Sequence, residues 1–396
     1  MISQRPSLII LILVTGLGPM AINILLPSLP GLQHEFKTEY STVQLTITLY
    51  LAALAIAQLV YGPLSDRYGR RPAMLVGLAI FMVGNLVSLF APTIEVLIAG
   101  RVLQAVGGCA GVVLSRAMIR DMYDQNKAAS TMAYVTMAMV VAPMFAPAIG
   151  GYLETVWGWR ASFVFISVIG AAVFIASLLT LHETHHVRKG EASHDSTSGL
   201  SNLLRIPAFY GYVSQLGFTS AIFFSFIGGA PYVMVEVLKQ SPQTFGLYFI
   251  LVSVMYMAGN FTAARLSVRL GTDLMIHMGA TVALVGAMLL SAAYLNDLLT
   301  PLTLFGSMAF VAVGNGMAIP NAVAGAISVN PRLAGTASGV SGFLQMSVGA
   351  GASYLVGLWL SMTSDTALPL IAMMVGAAIL AYIAYWIGIR PISRSS

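Results

Sequence analysis

Ten residues, GPLSDRYGRR from Gly62 to Arg71, hold four charges and two glycines between long apolar runs. A carboxylate is favoured at a helix N-terminus and cations are favoured at a phospholipid surface, so Asp66, Arg67, Arg70 and Arg71 read at least as a cytoplasmic anchor. The glycines argue for more. Gly62 and Gly69 are expected to frame a turn, with Asp66 near the start of the next helix. Their lack of side-chain bulk suits a loop that latches and releases. A second candidate is Arg101, which stands inside an apolar run with Gln104 on the same helical face. A buried arginine is costly unless it faces protein or water, so Arg101 is expected to point into a cavity rather than to snorkel toward the outer surface. A third is HETHH, His182 to His186, which matches the H-E-x-x-H zinc pattern of two histidines one turn apart with a glutamate as base. An intramembrane zinc protease needs a further ligand inside the bilayer, and no mid-span carboxylate exists to supply one. Adventitious binding by these histidines or His194 is the lesser metal reading, and no metal site or cofactor is expected.

The elements that position these residues follow from composition. Of 396 residues, 58% are hydrophobic and 8% charged, too apolar for soluble domains of this size. A bilayer core takes roughly 20 helical residues to cross. Twelve apolar runs approach that length, near 7–29, 42–62, 72–91, 94–115, 128–152, 160–181, 207–229, 244–263, 273–294, 301–323, 334–360 and 367–388. The first is too long for a signal-peptide core and is read as a retained span. The expected fold is therefore an all-α membrane protein of two six-helix bundles, residues 1–181 and 207–396, joined by a polar linker at 182–206. Cys109 is the single cysteine, so no disulfide framework arises. The net charge of +5 is dispersed at span ends, which explains it by topology and leaves no nucleic-acid surface. Fifteen of the 19 Lys and Arg residues fall on one side when the N-terminus is placed inside, so both termini and the linker are expected in the cytoplasm. No nucleotide-binding loop is present, so ATP is not the expected energy source.

The two halves repeat weakly. GNFTAARLSVRLG, Gly259 to Gly271, stands where GPLSDRYGRR stands in the first half, with two arginines but no aspartate. APMFAPAIGG at 142–151 and TASGVSGFLQMSVGAGAS at 336–353 mark spans five and eleven as the proline-broken or glycine-rich pair. Repeats of this kind build transporters with a central site between two bundles. Pro143 and Pro147 each remove a backbone donor and are expected to kink span five, while Gly150 and Gly151 allow a neighbouring helix to pack closely.

GPLSDRYGRRP resembles the loop signature of the major facilitator superfamily, and the twelve-span plan extends the resemblance over essentially the whole chain. The resemblance implies that Asp66, Arg67, Arg70 and Arg71 lock the bundles in the outward-facing state. RVLQAVGG, from Arg101, is similar to the family's fourth-span motif, in which a buried arginine is tied to proton coupling. APAIGG, from Ala146, is similar to the fifth-span antiporter motif, with Ala146-Pro147 in place of the usual Gly-Pro. LLPSLP, RVLQ and WGWRASF together look most like the bicyclomycin and chloramphenicol resistance branch of the drug:H+ antiporters. Export of small hydrophobic or amphiphilic compounds from a bacterial inner membrane, with protons as the coupling ion, is what the branch implies.

One departure stands out. The branch normally carries an aspartate four residues before the first proline of the LPSLP-like stretch, and this chain has Asn23. All 14 carboxylates fall at or near predicted span ends. Asn23 and Arg101 are expected at similar depth, facing each other, and asparagine has the shape of a protonated aspartate without its titration. Three readings stay open: an exporter coupled otherwise or not at all, a substitution that mimics the protonated state, or use of Glu95 or another edge carboxylate. A proton-independent exporter of a metabolite or siderophore is the alternative function. Further candidates for a mostly apolar cavity are Tyr50, Gln58, Tyr134, Met137, Gln215, Phe218, Phe223, Tyr248, Tyr256, Asn315 and Gln345. No enzymatic activity is expected, and a single chain is the expected working unit.

Overall fold

A peptide crossing lipid must satisfy its own N–H and C=O groups, and an apolar run of this length does so only as a helix. The computed structural model describes residues 7–122, 135, 143–184, 203, 206–330, 333–363 and 366–389, and among them no strand occurs. Helix α1, Leu8–Ile24, passes through a 3-10 turn at Leu26–Ser28 into α2, Leu29–Phe36. There follow α3 Tyr40–Tyr68, α4 Arg70–Leu89, α5 Ile94–Met122, α6 at 143–157 and α7 Arg160–Thr180. The second half comprises α8 Pro207–Tyr232 with a π turn to Val237, α9 Pro242–Leu270, α10 Thr272–Leu295, α11 Pro301–Ser328, α12 Ala334–Met362 and α13 Leu368–Ala384 with a π turn to Ile389.

Eleven helices among the described residues are long and apolar enough to cross a membrane. The protein is a multi-pass membrane protein. Of the predicted fifth span, 128–152, the described part is Val135 and residues 143–152 of α6. Several crossings outrun the apolar runs that announced them: 7–29 continues to Phe36, 94–115 to Met122 and 244–263 to Leu270. Hydropathy marks where lipid ends, whereas a helix ends only where a glycine or a cap stops it.

The chain forms two compact units, Met1–Glu191 with Ser241–Gly246, and Ala192–Gln240 with Leu247–Ser396. In the first, α5 is the central post, and small residues let its backbone lie against two neighbours at once. A Cβ on Gly107 would overlap the Phe81 backbone of α4, and one on Gly111 would overlap Val14 of α1. Gly108 lies against Gly18 of α1, with a built Cβ 3.2 Å from the Gly18 Cα. Without a water-driven hydrophobic force between helices, close backbone packing of this kind supplies the dispersion energy that holds them. Phe81, Leu114 and Met118 fill the core around the post.

The second unit repeats the plan in register. Gly77 and Gly84 of α4 receive α5; Gly279 and Gly286 of α10, each 202 residues later, receive α11. The backbone breaks keep the same offset: Gly69 and Gly271 have φ of 96° and 81°, and Lys37 and Lys239 have φ of 48° and 54°. Positive φ at both glycines is the conformation that a Cβ resists. Each pair α3–α4 and α9–α10 is thus joined by one residue.

Packing assigns two glycines opposite responses. Gly107→Ala is expected to lower unfolding stability in detergent micelles by about 1–3 kcal/mol, because backbone rather than a pliable side chain is in the way. Gly62 has nothing within 4 Å of a built Cβ. Gly62→Ala is expected to leave stability unchanged or raise it by up to ~1 kcal/mol, since alanine favours the helix; thermal unfolding of the two variants checks the contrast.

Candidate functional site

The charged loop is almost no loop. Helix α3 runs through Gly62, Pro63, Asp66 and Arg67 to Tyr68, and α4 starts at Arg70. Gly62 therefore lies within a helix and does not frame a turn, and Asp66 ends α3 instead of starting α4. The helix continues through Pro63, which costs it one backbone donor. Gly69 alone makes the turn.

Arg70 gathers the ends of three elements. Its guanidinium pairs with Asp66 at 2.7 Å and with Asp121, in the last turn of α5, at 3.0 Å, and it donates to the Ser65 hydroxyl. Arg70 is buried while Asp66 is exposed, so the Asp121 bond carries more of the energy. Glu183, just after α7, supplies the cap that α4 lacks: its two carboxylate oxygens accept the backbone N–H groups of Arg70 at 2.9 Å and Arg71 at 3.1 Å. A carboxylate at a helix N-terminus satisfies orphan donors and meets the positive end of the dipole. Gly69 has a second reason to be glycine, since its Cβ would come within 2.6 Å of the same carboxylate. The Arg71 guanidinium donates to the Leu178 carbonyl at 3.0 Å, and Arg67 is exposed beside the Tyr68 ring. The glutamate of HETHH is thereby a cap and not a zinc-site base; His186 and His194 lie outside the described residues.

The second constellation sits inside the first unit. Arg101 is fully buried and does not snorkel. Its guanidinium lies 4.4 Å from the centre of the Tyr50 ring, donates to the Ala21 carbonyl at 3.0 Å and donates to Gln104 Oε1. Gln104 donates to Asn85 Oδ1 at 2.7 Å; Asn85 donates to the Phe163 carbonyl at 2.9 Å and to Ser167 at 2.6 Å. Tyr50 donates to the Gly18 carbonyl at 3.0 Å. The polar chain thus joins α1, α3, α4, α5 and α7. The expected pairing of Asn23 with Arg101 is not what forms: Asn23 donates back to Pro19 at 2.8 Å, and Arg101 bonds the α1 backbone two residues away, at Ala21. An amide three atoms shorter than the guanidinium's reach is satisfied more cheaply by its own helix turn. Asn23 Oδ1 and Arg101 Nε and Nη2 are buried without hydrogen-bond partners. Arg101 has no carboxylate partner among the described residues.

This chemistry is confined to one repeat. Positions 202 residues after Tyr50 and Asn85 are Val252 and Ala287; positions 207 after Arg101, Gln104 and Gly107 are Met308, Val311 and Gly314. All four counterparts of the polar side chains are buried and apolar. The second unit has a smaller polar group, in which Gln215 donates to Thr219 at 3.2 Å and Asn315 donates to the Thr219 carbonyl at 3.3 Å. Gln58, Phe218, Phe223, Tyr248, Tyr256 and Gln345 are half-buried, and Tyr134 and Met137 lie outside the described residues. In α6, Pro143 is the first described residue of the stretch and Pro147 lies within it; a Cβ on Gly150 would overlap the Ile24 carbonyl, and one on Gly151 the Pro242 carbonyl. Asn85 and Glu183 were missed by sequence reasoning. Asn85 is an amide within a span, the same signal that picked out Gln104, while Glu183 was masked by the zinc pattern around it.

A family model described as Major Facilitator Superfamily matches residues 11–354. The chain belongs to the major facilitator superfamily. Multidrug resistance protein D of Escherichia coli (strain K12) is 30% identical over 374 residues, 94% of this chain and 93% of that one. A bicyclomycin resistance protein homolog of Haemophilus influenzae is 28% identical over 391 residues, 97% of each. The fold is shared with a bacterial homolog of the human lysosomal transporter Spinster, solved inward-facing and unoccupied, at a TM-score of 0.77, 15% identity and coverage of 98% and 97%. The charged stretch Gly62–Arg71 is built around one buried guanidinium, Arg70, which pairs with Asp66 and Asp121.

Glu183→Ala leaves the Arg70 and Arg71 N–H groups without their acceptors and is expected to cost about 1–3 kcal/mol of unfolding free energy. Glu183→Gln, which keeps an acceptor but loses the charge, is expected to cost less. Denaturant unfolding in micelles checks the order.

Proposed function

We propose that this chain is a proton-antiporting exporter of small hydrophobic or amphiphilic compounds in a bacterial inner membrane, working by alternating access with both termini in the cytoplasm. The sequence similarity to a multidrug resistance protein and a bicyclomycin resistance protein homolog supports the substrate class. The distribution of Lys and Arg supports the orientation.

The observation that carries the reading is the buried Arg101 guanidinium, with two of its nitrogens, Nε and Nη2, unpartnered and no carboxylate paired with it among the described residues. A buried charge is tolerated only when hydrogen bonds and polarisable neighbours replace water, and here Tyr50, Gln104 and the Ala21 carbonyl do so incompletely. The remaining donors, with Asn23 Oδ1 as a free acceptor, are what a polar group of a bound substrate takes up. Asp66, Arg70 and Asp121 serve as the conformational latch, and Gly150 and Gly151 hold the antiporter-motif helix hard against its neighbours.

A second reading rests on Asn23 itself: a neutral residue at this position favours export without a proton moving through α1. Reconstitution in vesicles with an imposed pH gradient separates the two, because dye flux indifferent to the gradient removes proton antiport. In the same assay Asn23→Asp is expected to confer or strengthen pH dependence, since a carboxylate beside Arg101 titrates where an amide does not. Flux through that variant that stays flat from acid to alkaline pH removes the coupling role of this position.

A further inference from the structure

Helix α6, at 143–157, carries one carboxylate, Glu154, and places it in an unusual setting. Gly150 seats α6 directly on the Ile24 carbonyl. Glu154 follows one turn later on the same face and so meets the next turns of the α1–α2 segment. There one of its oxygens lies within 2.5 Å of where a Gly31 Cβ would stand. The other oxygen, Oε2, is buried and accepts no hydrogen bond; among the described residues it is the only carboxylate oxygen in that condition. Ser28 Oγ and Gln33 Oε1 from α1–α2, and Trp159 Nε1 just beyond α6, are likewise buried polar atoms without partners. Trp159 packs on Phe36, the last residue of α2, with ring centres 5.7 Å apart, so the end of α6 and the start of α7 lie along α2.

We propose that Glu154 is a proton-binding residue of the transport cycle, neutral while α6 is seated on the end of α1 and ionised when that corner takes in water. An anionic carboxylate needs several donors, and Oε2 accepts a hydrogen bond from none, the nearby Ser28 hydroxyl included, whereas a carboxylic acid tolerates the setting. The proton comes from water on the extracytoplasmic side: one O–H bond forms at the carboxylate, one charge is lost, and both changes reverse on opening. Glu154 lies beyond the predicted crossing at 128–152, and burial pushes its pKa up to about 7; Ser28 opposes this as a nearby dipole without making a full hydrogen bond, and the negative charge of Glu35 adds to it. Glu35 of α2 is itself paired with Arg160 of α7 at 3.2 Å. The first turn of α9, Pro242 to Gly246, brings no ionisable group. With its pKa raised, the carboxyl is neutral on the acid side of neutrality, and the seated corner loses stability as pH rises through the raised value. The chain thus has a titrating acid at the outer end of α6 although Asn23 stands where the branch carries one in α1.

The inference rests on the export reading, and the test separates the two. In lipid vesicles, infrared difference spectra between acid and alkaline buffer should show a carboxylic C=O band titrating near neutrality, absent in Glu154→Gln. Rhodamine 6G flux through the wild type should change several-fold across about pH 6 to 8, a window set by a carboxyl raised well above its usual 4.3. Flux through Glu154→Gln should be flat, and Glu154→Asp should restore the dependence. Glu35→Gln, at an exposed position, should move the midpoint toward acid. A titrating band that persists in Glu154→Gln, or an unchanged pH profile of flux in that variant, overturns the proposal. A wild type that moves no dye removes the export reading, and the infrared titration then decides Glu154 alone.

Discussion

A guanidinium sealed from water by a neighbour's carbonyl group is the contact on which the first unit depends. Arg101 can be kept in the bundle only if acceptors reach it, and the nearest on α1 is the Ala21 carbonyl at 3.0 Å. Helix backbones come that close only where side chains vanish between them, which is what Gly18, Gly108 and Gly111 provide. The same approach brings Tyr50 to the Gly18 carbonyl and lays its ring against the guanidinium. The polar chain therefore depends on the glycine packing that brings its acceptors within reach.

The second unit shows what the scaffold needs when no charge is to be housed. Its helices meet through Gly279, Gly286 and Gly314, as their counterparts do, yet valine, alanine and methionine occupy the places of tyrosine, asparagine, glutamine and arginine. The fold therefore does not require the polar chain. A costly feature retained in one of two otherwise matching units, and absent from the other, is best explained by use.

Much of this was legible in the residues. Apolar run length announced the crossings, because lipid leaves the backbone no alternative to helix. Arg101 and Gln104 were legible for the same reason, as polar groups that the interior must satisfy. Three features were not. The turn at GPLSDRYGRR looked wide because glycine, proline and charge crowd it, whereas only the backbone angle at Gly69 breaks the helix. Glu183 was hidden in a metal-like spacing, since a cap supplied from more than a hundred residues along the chain leaves no local pattern. The register of Asn23 was the third: whether a short amide turns to its own helix or to a partner depends on differences of an ångström that spacing along the chain does not encode.

The joints at Gly69 and Gly271 carry a mechanical consequence. Connecting two long rods through one residue removes slack, so a displacement at the foot of α3 reaches α4 undamped, and α9 and α10 are coupled in the same manner. Arg70 and Glu183 add a rivet on the first joint by fastening it to the feet of α5 and α7, whereas beside Gly271 the tie is made by a neutral donor, Tyr212 of α8, to Asp273. The two halves of the chain therefore share a one-residue hinge that is held more firmly in the first than in the second.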